Sequence, residues 1–147
     1  MDAVNTYKVF NWLWTSGQLA EGDITELPGL GFDTVINLAT PDSTKALKNE
    51  AELVTSLHLN YVQIPVEWEL PEVDQFFLWT KLMQALDGHK VWVHCIMNMR
   101  VSAFIYLYRK YFMSETEEQA RSLMDKIWTP NDIWQKYIEE ISKQLSN

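Results

Sequence analysis

The apolar run Val91-Trp92-Val93 passes through His94 into Cys95, the only cysteine of the chain, and Arg100 then opens a second apolar run, Val101 to Tyr108. Apolar residues at consecutive positions, without the alternation of a half-exposed strand, predict a strand covered on both faces, as in parallel sheets flanked by helices. The second run predicts a helix packed centrally against that sheet. A strand running into a helix leaves the first N–H groups of the helix unpaired and facing the turn, so an anion placed there gains hydrogen bonds and a favourable dipole. A thiolate is such an anion. Cys95 is therefore expected to have a lowered pKa and to be a nucleophile near neutral pH, with Arg100 close enough to fork onto an oxyanion bound beside it. Phosphate fits that description.

The rest of the chain supports an α/β order. Thr34 to Ala39 has the same unalternating character, Tyr61 to Val66 predicts another strand, and Tyr7 to Phe10 and Trp12 to Thr15 predict two short strands near the start. Helices are expected over Asp23 to Leu27, Lys45 to Leu57, Pro71 to Leu86 and from Val101 onward. Two more follow a capping box at Ser114-Glu115-Thr116-Glu117 and the segment Thr129-Pro130-Asn131-Asp132. The order strand, helix, strand, helix, strand, helix and helical tail makes an α/β domain with at least three parallel strands. Such sheets bind ligands beyond the carboxyl ends of their strands, which is where Cys95 lies.

A chain of 147 residues, 47% of them hydrophobic, is large enough for one domain with a real core, and residues 1–147 are read as one. No apolar run reaches membrane-spanning length, and Met1 to Asn5 lacks the basic start and apolar core of a secretory signal, so no membrane partner and a cytoplasmic location are expected. A lone cysteine forms neither an internal disulfide nor a C-x-x-C metal pair; it suits a reducing compartment, and no cofactor or metal is expected. The net charge of -8, with no Lys/Arg-rich block, argues against nucleic acid as a partner. It also means that any attraction for an anionic substrate must be local to the pocket.

His94-Cys95, the short loop after it and Arg100 resemble the phosphate-binding signature of the cysteine-dependent phosphatases, the protein tyrosine and dual-specificity phosphatase superfamily. Trp14-Thr15-Ser16-Gly17-Gln18-Leu19, the stretch Gly31 to Leu38, and Ile64-Pro65-Val66 resemble segments of small bacterial phosphatase-like proteins, in which a Ser-Gly-Gln turn, a Val-Ile-Asn-Leu strand and an Ile-Pro-Val strand precede the cysteine loop. The resemblance runs from Trp14 to Phe112. It departs within the loop, where four residues, Ile96 to Met99, separate cysteine from arginine. The family has one more, with a glycine among them and Ser or Thr after the arginine; here there is no glycine and Val101 follows Arg100. The resemblance implies a dual-specificity-phosphatase-like α/β domain, with a largely parallel central sheet flanked by helices. It also implies hydrolysis of phosphate monoesters, of phosphotyrosine or dual-specificity type, through a cysteinyl-phosphate intermediate.

On this resemblance Cys95 is the nucleophile, Arg100 clamps the phosphate, and His94, Ile96, Met97, Asn98, Met99 and Arg100 form the substrate-binding loop. The counterpart of His94 in the family orients the loop and supports the cysteine. The family carries its general acid as an aspartate on an upstream loop. Here Glu67 is the first candidate, Glu69 the second and Asp74 the third, since a carboxylic acid within hydrogen-bond reach is what a leaving oxygen requires. Asn98 either takes the positive φ that a phosphate-wrapping loop needs or caps the following helix. Ser102 lies one position beyond the family's hydroxyl, a rotation of about 100° on a helix, and is not expected to help the cysteine leave. Trp68 sits in the loop expected to rim the pocket and suits stacking on an aryl phosphate. The partner is a phosphorylated protein or a small phosphomonoester.

Structural alternatives stand beside these roles. A lone cysteine ending an apolar strand also suits a small buried hydrophobe, and Arg100 also suits a pair with a surface carboxylate. Two other functions remain open. One is a rhodanese-like sulfurtransferase, whose cysteine loop likewise follows a parallel strand and whose smaller substrate suits a shorter loop. The other is a catalytically weak or inactive phosphate- or phosphoprotein-binding domain, which the missing glycine and missing Ser/Thr favour.

Overall fold

The computed structural model describes residues 1–146 and contains one five-stranded sheet in the spatial order β1-β2-β5-β3-β4. The strands are β1 (Tyr7–Phe10), β2 (Leu13–Ser16), β3 (Thr34–Asn37), β4 (Asn60–Gln63) and β5 (Val91–His94). β1 pairs antiparallel with β2, across a connection too short for anything else, while β2, β5, β3 and β4 are mutually parallel. Six α-helices connect and follow them: α1 (Glu21–Glu26), α2 (Glu50–Ser56), α3 (Val73–Ala85), α4 (Met99–Tyr111), α5 (Glu117–Ile127) and α6 (Asp132–Leu145). No helix among the described residues is long and apolar enough to cross a membrane.

The unalternating strands are explained by apolar packing on both faces. In β5, Val91 and Val93 join the larger core with residues of α3, α4, α5 and α6, whereas Trp92 turns to the other face, against Leu19, Ile24, Leu27, Phe32, Val35 and Val54. β5 is central, so every one of its side chains is buried, and α4 buries all residues from Arg100 to Leu107 against the larger face.

Several element boundaries differ from the sequence expectation, for local reasons. The helix expected from Lys45 begins at Glu50; before it the backbone makes separate short turns, Ser43 N–H to Thr40 O, Ala46 N–H to Ser43 O and Glu50 N–H to Leu47 O. α1 starts at Glu21, after Ala20, rather than at Asp23. Pro71 lies ahead of α3 rather than at its first position, with Glu72 as N-cap. α5 is capped by Thr116, whose hydroxyl accepts from Gln119 N–H, and not by Ser114. β4 ends at Gln63, although Ile64 and Val66 still donate to Asn37 O and Leu38 O on either side of Pro65, which has no N–H to give.

Phe104 of α4 is fully buried and its ring contacts those of Phe76, Trp79 and Tyr137. Phe104→Ala is expected to cost about 3–5 kcal/mol, read as a lower midpoint of urea unfolding with an unchanged slope.

Candidate active site

β5 delivers Cys95 to the carboxyl edge of the sheet, and α4 begins only four residues later with Asn98 as its N-cap. The intervening loop is held from outside. His94 O accepts from Leu38 N–H (2.8 Å), Ile96 O from Gln18 N–H (3.0 Å), Met97 O from Asn5 Nδ2 (3.0 Å) and Cys95 O from His94 Nδ1 (3.0 Å). In a trans peptide the N–H points away from the preceding C=O, and no peptide here is cis. The N–H groups of Ile96, Met97 and Asn98 therefore face away from these donors, and among the described residues they meet no protein acceptor. Met99, Arg100 and Val101 supply the first-turn N–H groups of α4, likewise unpaired, and the helix ladder opens with Ser102 N–H to Asn98 O. The Cys95 N–H itself is directed to Ser16 O at 3.3 Å.

A cavity of about 420 Å³ lies on this loop, lined by Cys95, Ile96, Met97, Met99 and Arg100 together with Ser43, Thr44, Lys45 and Trp68. A larger hollow of about 670 Å³ sits at the opposite end of the sheet, between Trp12, Leu86, Lys90 and Tyr108, away from the cysteine. Arg100 is only 6% exposed. Its Nη1 donates to Val66 O at 2.9 Å, its guanidinium lies 5.9 Å from the Trp68 ring centre, and none of the ion pairs among the described residues includes it. A buried cation with no carboxylate partner is costly unless an anion visits.

Behind the loop runs a polar row. Ser16, His94, Asn37 and Gln63 are in register across four strands, at the carboxyl end of each. His94 Nε2 lies 2.6 Å from Glu50 Oε2, and Glu50 Oε1 accepts from Gln18 Nε2 at 2.6 Å. Burial alone would push the Glu50 carboxyl up. The hydrogen bond and charge of His94, then the hydrogen bonds of Gln18 and Tyr61, outweigh that and hold it below the usual carboxylate range. Burial, then the Glu50 charge, pushes the Tyr61 hydroxyl well above its ordinary value, so it remains a donor.

These placements revise part of the expected binding loop. Cys95, Ile96, Met97, Met99 and Arg100 do line the cavity. His94 and Asn98 are fully buried and stand behind it: strand alternation turns His94 to the same face as Trp92, and Asn98 Nδ2 donates to Asn5 O and Thr15 Oγ1. Asn98 combines the two roles left open for it, a positive φ of 66° and the N-cap position. Ser102 Oγ donates to Met99 O and accepts from Trp128 Nε1, away from the cysteine. Glu67 and Glu69 line an adjoining recess of about 350 Å³ with Thr40, Asp42, Ser43, Trp68 and Arg100; Asp74 is exposed on α3 and lines neither space. Asp42, Glu50, Gln18, Asn5 and the Ser43-Thr44-Lys45 edge were not among the expected site residues. Of these Glu50 had a visible signal, a carboxylate in phase with Leu47, Leu53, Val54 and Leu57. Among the described residues no group of three or more His, Cys, Asp or Glu side chains is placed to hold a metal ion.

Glu50→Gln should remove stability that depends on the carboxylate charge. A carboxyl held low in the fold contributes stability above its unfolded value and loses it as pH falls. The variant is therefore expected to be about 3 kcal/mol less stable near neutrality, and the gap should close on acidification through and below the ordinary carboxylate range. Urea unfolding as a function of pH measures both.

No protein-family model and no curated protein matches the chain. Among solved structures, a candidate phosphatase of the DUF442 type from Shewanella putrefaciens CN-32 is 31% identical with a TM-score of 0.86, over 98% of this chain and 95% of that one. TpbA of P. aeruginosa, solved in complex with pTyr, has a TM-score of 0.71 at 15% identity, over 98% and 91% of the two chains. The core catalytic domain of the PP-IP phosphatase SIW14 from S. cerevisiae has a TM-score of 0.77 at 13% identity, over 99% and 93%. The last two share the fold. The Shewanella protein shares sequence over nearly its whole length as well, and with it this chain belongs to the cysteine-dependent protein tyrosine and dual-specificity phosphatase superfamily, in its small bacterial DUF442 branch.

Proposed function

We propose that the chain hydrolyses phosphate monoesters through a cysteinyl-phosphate intermediate on Cys95. What carries this reading is the orientation of the loop peptides: carbonyls tied outward from His94 to Met97, and unpaired N–H groups from Ile96 to Val101. Unpaired amides beside a buried guanidinium match the oxygens of a tetrahedral dianion.

In the proposed reaction Arg100 and the loop amides hold the non-bridging oxygens of the phosphoryl group. The Cys95 Sγ attacks phosphorus, and the S–P bond forms as the P–O bond to the leaving group breaks. Glu67, in the recess beside Arg100, protonates the departing oxygen, with Asp42 and Glu69 next to it as the other carboxyls of that recess. Water then attacks phosphorus, the S–P bond breaks and phosphate leaves. Trp68, exposed next to Arg100, presents a ring face to the leaving group, which favours aryl esters such as phosphotyrosine. The pTyr held by TpbA supports that choice of substrate class. The single free thiol suits a reducing compartment, the cytoplasm.

Ser102 bonds Met99 O and Trp128 Nε1 and Val101 follows Arg100, which leaves the second step without the hydroxyl that the family places after its arginine. This favours slow breakdown of the intermediate, and in the limit a phosphate-binding domain without turnover.

Hydrolysis of para-nitrophenyl phosphate is expected, with an initial burst of nitrophenol, inhibition by vanadate and complete loss in Cys95→Ser. Arg100→Lys keeps the charge but loses the fork, and should lower kcat/KM on the order of a hundredfold. Binding of phosphate with no turnover at any pH would replace catalysis with the binding function, and cyanide-dependent sulfur transfer from thiosulfate would replace both.

A further inference from the structure

We infer that Trp134, on the C-terminal helix α6, is a positioning residue for the loop between β4 and α3: its indole N–H holds the middle of that loop and sets where Glu67 and Trp68 stand beside Arg100. The anchor is read from the fold alone; its consequence for catalysis rests on the proposed role of Glu67.

The loop has little else to fix it. Among the described residues no backbone N–H or C=O from Glu67 to Pro71 bonds another backbone group, and the one bond to the backbone of this stretch is Trp134 Nε1 to Trp68 O, at 2.8 Å. Glu67, Trp68, Glu69 and Leu70 are exposed, and neither glutamate belongs to an ion pair among the described residues. Backbone groups that bond only water impose no single shape on a loop. The two ends are tied separately: Gln75 Nε2 donates to Pro65 O, Arg100 Nη1 to Val66 O and the Tyr137 hydroxyl to Glu72 O. Trp134 and Tyr137 are one turn apart on the same face of α6, so a single helix holds both the centre and the far end of the loop.

Trp134 is 0% exposed, which gives its bond weight. If the loop moved away, the indole N–H would be left buried without an acceptor, whereas the carbonyl of Trp68, in an exposed loop, would turn to water. Ring packing acts in the same direction. The Trp68 ring lies 5.9 Å from that of Trp134 and 5.3 Å from that of Trp128, and Trp128 Nε1 donates to Ser102 Oγ on α4, just past Arg100. Three tryptophans thus join the tail of the chain, the helix that carries Arg100 and the loop that carries the carboxyls. The first turn of α6 is itself fixed, since Asn131 Oδ1 accepts from the Trp134 backbone N–H at 3.0 Å.

With fluorotryptophan in place of tryptophan, the fluorine signal of Trp68 reports the loop without any substrate; its loss in Trp68→Phe identifies it. Trp134→Phe keeps an aromatic ring and removes the donor. It is expected to raise the solvent isotope shift of the Trp68 signal toward that of the urea-unfolded chain, while Trp14 and Trp92, packed on the opposite face of the sheet, keep theirs as markers of an intact fold. In the unaltered protein the Trp134 indole N–H should exchange with deuterium about a hundredfold more slowly than an exposed indole, a measurement that needs no variant to fold. Trp134→Phe should also raise the ratio of kcat/KM for para-nitrophenyl phosphate to that for phenyl phosphate about tenfold, because the poorer leaving group depends more on a placed acid; a loss of folded protein would lower both alike. A folded Trp134→Phe with the parent's Trp68 isotope shift, or fast exchange of the Trp134 indole N–H, overturns the inference. An unchanged ratio in an active variant whose loop has loosened overturns its catalytic part. Absence of turnover with the fluorine and exchange results as expected overturns only the proposed function.

Discussion

In an isolated loop the carbonyl oxygens of His94, Cys95, Ile96 and Met97 would be free to turn in any direction. In the fold each is engaged by a donor from a different place: Leu38 beyond β3, the His94 ring, Gln18 beyond β2 and Asn5 ahead of β1. That convergence requires β5 to lie between β2 and β3, because the donors reach the loop from both sides of the strand that delivers it. A peptide unit has only two sides, so holding the oxygens outward is equivalent to offering the amides inward. Gly17 belongs to the same arrangement. A side chain there would overlap the Ile96 carbonyl oxygen, and only the bare backbone lets the turn approach closely enough for the Gln18 N–H to bond it.

The shortened loop lacks the glycine that would supply a positive φ cheaply, and Asn98 takes that conformation at a cost of about 1–2 kcal/mol. The cost is offset by what glycine cannot do. Asn98 Nδ2 donates to Asn5 O at 2.9 Å and Thr15 Oγ1 at 3.0 Å, while Asn5 Nδ2 returns a bond to Met97 O. Two asparagines far apart in sequence thus tie the two segments together, Asn98 holding the backbone of Asn5 and Asn5 that of Met97, and the loop is fixed by its neighbours instead of by its own turn chemistry. The N-terminal segment becomes part of the pocket wall by this route.

The largely parallel sheet covered on both faces was legible because runs such as Val91 to Val93 and Val35-Ile36 are apolar without alternation, a pattern only two-sided burial explains. Cys95 and Arg100 were legible because they flank a strand-to-helix turn. His94 was assigned to the substrate side from its neighbours in sequence, yet period two along β5 places it with Trp92, away from the pocket. Glu50 was passed over because amphipathic patterns are traced through apolar residues, although it falls in phase with Leu47, Leu53 and Val54; a carboxylate on a buried stripe signals a buried partner. The donors Asn5 and Gln18 had no such signature. Side-chain and backbone bonds between residues this far apart in sequence obey no local periodicity, and only the assembled sheet reveals them.

The protein carries a net charge of -8, yet its candidate site gathers positive groups: the buried Arg100 guanidinium and the unpaired amides of the loop. Burial reconciles the two. At 4 Å, unit charges interact by about 4 kcal/mol at an effective dielectric constant of 20 but by about 1 kcal/mol in water, and exposed carboxylates are further screened beyond about 8 Å at physiological salt. Glu67 and Glu69 stand exposed at the rim, where their repulsion of a phosphate is weak, while Arg100 is enclosed, where its attraction is strong. A rim carboxyl can therefore be spared for proton transfer without abolishing the binding of the anion it serves. The same separation means that charge changes at the rim should act mainly on association and salt dependence, whereas a change to the buried Arg100 should act on the hold over a bound anion itself.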